Sequence, residues 1–85
     1  MIQIRQKVVI TGASRGLGEK IAEKFCFAGA DLALIARDIG TLKKMVDKLK
    51  TDAREDQVIE FFICDLSDLE TVQGLIQKIK KCLHL

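Results

Sequence analysis

An α/β fold on a parallel sheet, with elements alternating βαβαβα and strands ordered 3-2-1, is what the 85-residue sequence predicts. Three observations carry that expectation. Apolar runs at Val8-Val9-Ile10, Leu32 to Ala36 and Val58 to Cys64, with Glu60 their only charge, lack the polar alternation of a half-exposed strand. After each run the apolar residues switch to helical spacing. A glycine-rich stretch, Thr11-Gly12-Ala13-Ser14-Arg15-Gly16-Leu17-Gly18, joins the first run to the first helical pattern. Alternation of this kind implies right-handed crossovers, so the first two helices should share one sheet face and the third should take the other.

Taken in order, residues 1–6 are a polar lead and Lys7 to Ile10 form the first strand. Leu17, Ile21, Ala22, Phe25 and Ala28 mark the apolar face of the first helix, which should end at Gly29, a residue suited to a left-handed C-terminus. Leu32 to Ala36 form the second strand, followed by Arg37 and Asp38. Leu42, Met45, Val46 and Leu49 give an i, i+3, i+4, i+7 stripe, placing a second helix at about residues 39–51. A charged connector, Thr51 to Asp56, leads to the third strand, Val58 to Cys64. The last helix should carry Leu69, Val72, Leu75, Ile76, Ile79 and Leu83 inward, with Ser67 as N-cap and Glu70 at the capping-box position. Gly74 weakens its middle by about 1 kcal/mol relative to Ala.

Composition narrows the function classes. Hydrophobic residues make up 48% and charged residues 31%, an ordinary globular balance. A net charge of +2 is too small to imply nucleic acid or an anionic membrane. The basic cluster Lys43, Lys44, Lys48, Lys50 and Arg54 is interrupted by Asp47 and Asp52 and reads as a solvated helix face. Cys26, Cys64 and Cys82 have neither an even count nor C-x2-C spacing, so no disulfide framework or zinc site is expected, and Cys26 and Cys64 read as small buried hydrophobes. No signal segment or apolar stretch of membrane-spanning length is found, and the expected location is cytoplasmic.

The glycine turn carries the chemistry. Glycines remove Cβ atoms where backbone must bend sharply or approach a ligand, and the free N–H groups of the first helical turn, with the helix dipole behind them, suit a phosphate. Spacing sets two other phosphate loops aside: no Gly-Lys-Ser/Thr follows, as a P-loop requires, and G-x3-G-x-G is not G-x-G-x-x-G. The Thr-Gly-x3-Gly-x-Gly pattern resembles the signature of the short-chain dehydrogenase/reductase family. From about residue 5 to the end, the sequence is similar to that family's amino-terminal, cofactor-binding half.

The resemblance implies a three-layer Rossmann-type sheet, here partial, forming a single incomplete NAD(P)-binding domain over residues 1–85. Gly12, Gly16 and Gly18 would form the pyrophosphate loop, with Ser14 and Leu17 among the contacts. Asp65 and Leu66 match the family's Asp-hydrophobic pair at the adenine. Asp65 also stands where a strand's carboxyl end meets the ligand crevice of open α/β sheets, although it could equally cap the following helix with Ser67. The family's catalytic Tyr-x3-Lys, with its Ser and an Asn-Ala-Gly turn, cannot be placed: the sequence has no tyrosine and no asparagine, and no catalytic residue is assigned. His84 reads as exposed. Three readings follow: an oxidoreductase segment inert by itself, a non-catalytic dinucleotide-binding or regulatory module, or a truncated product without function.

Two arginines bear on cofactor choice. NAD sites usually carry an acidic residue about 20 positions past the glycines, to hold the ribose. Here that place is Arg37, with no carboxylate between Leu32 and it. Arg37 can bond a 2′-phosphate and stack on adenine, and Arg15 lies inside the loop, where the family's NADP-preferring members often carry a base. NADP is therefore expected over NAD. The alternative is that Arg37 is solvated and Asp38 holds the ribose. The first strand, lacking a partner on one side, should also leave an apolar edge open to self-association.

Overall fold

The computed structural model describes residues 6–13, 15–65 and 67–84. Strands β1 (Lys7–Thr11), β2 (Asp31–Ala36) and β3 (Ile59–Ile63) alternate with helices α1 (Gly16–Phe27), α2 (Ile39–Asp52) and α3 (Leu69–Cys82). The sheet is parallel with β2 in the middle, pairing Val8 with Leu32 and Leu32 with Ile59. This is the expected 3-2-1 order. Its physical basis is visible in β2, all six residues of which are buried, because only the central strand is covered by a strand on each side and helices above and below.

The two faces separate as the crossovers require. Ile10, Leu32, Leu34, Ala36 and Ile59 pack with Ala22 and Cys26 of α1 and with Leu42, Met45, Val46 and Leu49 of α2. Ala33, Ile35 and Cys64 pack on the opposite face with Leu75, Ile79 and Leu83. The α2 stripe is buried at every expected position. In α3 the inward set is narrower than expected: Leu69 is 70% exposed and Ile76 45% exposed, because one helix can press only about a third of its circumference onto a sheet. Val9 of β1 is likewise 45% exposed, on the face that α3 covers incompletely.

Helix ends follow local chemistry. Gly29, at φ +89°, closes α1: its N–H bonds the Cys26 carbonyl and the Ala30 N–H bonds that of Phe25, the paired bonds of a Schellman motif. Asp38 caps α2 and Asp68 caps α3. The expected Ser67 cap is therefore corrected by one position, since an Asp carboxylate can take both the Thr71 N–H and the Thr71 hydroxyl, at 3.4 and 2.8 Å. Lys48 reaches Glu23 at 3.5 Å, tying the basic face of α2 to α1. No helix among the described residues is long and apolar enough to cross a membrane.

Candidate functional site

At the carboxyl edge of the sheet, the ends of all three strands turn into helices and leave a cleft of about 730 Å³. Gly12, Arg15, Ile35, Ala36, Arg37, Asp38, Cys64, Asp65 and Ser67 line it. A parallel sheet puts every strand's carboxyl end and every following helix's N-terminus on this one edge, so residues far apart in sequence converge there.

The glycine turn has the backbone expected of it. Gly12 and Gly16 both stand at φ +61°, a left-handed conformation that costs a residue with a Cβ, and a Cβ on either would meet nothing within 4 Å. Space therefore lies open in front of both. Gly18 differs: a Cβ there would run into the Gly12 carbonyl oxygen and stand 3.1 Å from Ala13 Cα. Its role is to let α1 pack against the turn that precedes it.

The three helix N-termini at this edge are not equivalent. Asp38 and Asp68 cap α2 and α3, whereas the N-cap of α1, Arg15, is extended at φ −157° and makes no side-chain capping bond. The start of α1 thus stands at the cleft without a side-chain cap, and a helix end in that condition suits an anion.

The charged residues sort themselves by their partners. Asp38 Oδ1 accepts from the Gly40 and Thr41 N–H groups at 3.0 and 3.4 Å, and Oδ2 accepts from the Thr41 hydroxyl at 2.9 Å. The Thr41 bonds, with Gly40 and the nearby Arg15 adding to them, hold its carboxyl below the ordinary range. Asp65 Oδ1 accepts from Ser67 N–H and Oγ at 3.0 and 2.8 Å, and those bonds, with Arg37 close by, hold its carboxyl down as well. Both oxygens of Asp38 are thus engaged, whereas among the described residues Asp65 accepts through Oδ1 alone.

Of the residues the sequence singled out, the fold brings Gly12, Arg15, Arg37 and Asp65 into the cleft lining. Gly16 begins α1 at its rim, Leu17 projects outward at 76% exposure, and Gly18 lies behind the turn. Ser14 and Leu66 fall outside the described residues. Ile35, Ala36 and Cys64 were not anticipated as lining. Their signal was available in position alone, at or just past the carboxyl ends of parallel strands β2 and β3.

Comparison with known proteins agrees with this geometry. A family model described as short chain dehydrogenase matches residues 6–84. The PIGF/3-ketodihydrosphingosine reductase fusion protein of Schizosaccharomyces pombe is 32% identical over 79 residues, 92% of this chain and 16% of its own length. A metagenomic short-chain oxidoreductase solved with NADP superposes with a TM-score of 0.82 at 30% identity, over 93% of this chain and 34% of that one. One from Burkholderia phymatum solved with NAD gives 0.83 at 30% identity, over 94% and 27%. The chain therefore spans between about a sixth and a third of the length of these relatives. With its residues 6–84 matched by the family model and its glycine turn, sheet order and cleft arranged as described, the chain belongs to the short-chain dehydrogenase family.

Proposed function

We propose that the chain is the NADP(H)-binding segment of a short-chain dehydrogenase/reductase, whose reaction is hydride transfer between NADP(H) and a carbonyl or alcohol. Gly12, Gly16 and the uncapped start of α1 would hold the pyrophosphate, Asp65 and Leu66 the adenine, and Arg37 with Arg15 the 2′-phosphate; Ser14 and Leu17 would complete the turn. When bound, the nicotinamide supplies the hydride. No side chain here is assigned to move a proton, since the general acid implied by the resemblance is a tyrosine and the sequence contains none. The chain by itself accordingly binds cofactor without turning over substrate. Its three free thiols support a reducing, cytoplasmic setting.

The observation that carries the choice of NADP is the engagement of Asp38. Its two oxygens are taken up by the start of α2, while Arg37 beside it and Arg15 across the cleft supply positive charge. A carboxylate free to accept both ribose hydroxyls is what an NAD site usually offers at this place. Charge-assisted bonds of roughly 1.5–3 kcal/mol correspond to NADPH binding about ten- to a hundredfold more tightly than NADH. Titration of the chain with each cofactor, followed by nicotinamide fluorescence, measures this, and Arg37→Asp should reverse the order. Equal affinities, or a preference for NADH, would leave only the dinucleotide class.

A further inference from the structure

The sheet has two edges, and the outer edge of β3 is the more distinctive. Leu32 N–H bonds the Val58 carbonyl and Cys64 N–H bonds that of Ala36, so the backbone of the even-numbered residues of this strand faces β2. In a parallel ladder the alternate residues then point away, so Ile59, Phe61 and Ile63 direct their N–H and C=O groups out of the sheet. Phe61 and Phe62 are half-buried and Ile63 is 43% exposed. Alongside runs an open groove of about 410 Å³ between this strand and α3, bordered by Phe62, Thr71, Gly74, Leu75 and Lys78. The strand Ile59-Glu60-Phe61-Phe62-Ile63 is rich in strand-forming residues, carries one charge and has no proline to block pairing.

We propose that this edge pairs with the same edge of a second copy, antiparallel and centred on Phe61, joining two three-stranded sheets into one. With the outward-pointing groups as given, Phe61 faces its own counterpart and Ile59 faces Ile63, the hydrogen-bonded positions of an antiparallel ladder. The two Phe61 rings then stand side by side on the α2 face. On the other face Glu60 of one copy stands opposite Phe62 of the other, and Lys78 borders the groove next to that Phe62. Charge complementarity selects this occupant and this register: among the described residues neither Glu60 nor Lys78 has an ion-pair partner within its own chain, and a twofold axis through Phe61 satisfies both copies at once. Among the described residues, edge β1, expected from the sequence as the place of self-association, offers no such reciprocal charge pair, and its exposed apolar side chain is Val9 alone.

Sedimentation velocity over a concentration series tests the pairing, with far-UV circular dichroism reporting whether each variant folds. The wild-type chain should form a concentration-dependent dimer. Ile63→Pro removes an outward N–H without touching the bonds to β2, and should abolish the dimer in a folded chain. Glu60→Lys and Lys78→Glu should each weaken it by about tenfold, since each places like charges together on both sides of the axis, and the two substitutions combined should restore it. A chain that is monomeric at every concentration overturns the proposal. So does a dimer that both single charge reversals leave unchanged, or one that Val9→Lys dissolves while Ile63→Pro does not.

Discussion

At the scale of single residues, the glycines divide by what surrounds them, and substitutions should follow that division. Gly18→Ala forces the turn and α1 apart, because the new methyl collides with the Gly12 carbonyl oxygen; binding of NADPH should be lost and the thermal midpoint lowered. Gly74→Ala adds a methyl in open space on α3 and should stabilise by about 0.5–1 kcal/mol, raising the midpoint by roughly 2–8 °C in a domain of this size. The contrast is measurable in one series of melts. The capping carboxylates give a pH dependence. Bonds from Thr41 to Asp38, from Ser67 to Asp65 and from Thr71 to Asp68 hold all three below the ordinary carboxylate range in the folded chain. A depressed folded-state pKa contributes stability that is complete above the unfolded value and is lost as pH falls through the folded one. The melting temperature should thus be flat near neutrality and fall below about pH 4, and Asp38→Asn should shrink the fall.

At the scale of elements, the sheet and the helices contribute unequally. β2 holds Leu32, Ala33 and Leu34 at zero exposure, so Leu34→Ala should cost about 2–5 kcal/mol, a large share of what a chain of this length has available. Leu69→Ala, at the outward start of α3, should cost a few tenths at most, and urea melts of the two variants check the contrast. That difference was only half legible in the sequence. Leu69, Val72, Ile76 and Ile79 share a helical spacing, and periodicity marks an apolar stripe without saying how wide a surface awaits it. For α2 the stripe and the surface agree, as Leu42, Met45, Val46 and Leu49 are all buried. The α3 cap shows the same limit: Ser67 and Asp68 are both good capping residues, and it is Asp68 that accepts from Thr71 while Ser67 donates to Asp65.

At the scale of the whole molecule, the cleft and the thiols report the integrity of the fold. Burial, with Asp52 adding to it, pushes the Cys26 thiol up; burial, with Glu60 and Asp31, does the same for Cys82. Cys26 and Cys64 are buried on opposite faces of the sheet. Their alkylation at neutral pH should be slow and should accelerate together with global unfolding in denaturant, whereas labelling of either at the rate of a free thiol in the folded chain would show that face to be open.

The sequence by itself determined the order of elements, the strand order, the two-faced distribution of helices and the glycine turn. These follow from local periodicity, from the handedness of crossovers and from the rarity of residues that accept positive φ, all of which are written along the chain. Only the tertiary structure decided which polar groups meet at the carboxyl edge. Arg15, Arg37, Asp38 and Asp65 are chemically ambiguous in sequence, each able to serve a ligand, a cap or solvent. The assembled sheet gathered Arg15, Arg37, Asp38 and Asp65 around one cleft, where local bonds from Thr41 and Ser67 already engage two carboxylates and the N-cap of α1 makes no side-chain bond. Which strand ends and helix starts share that cleft is a property of the assembled sheet, and no spacing along the chain encodes it.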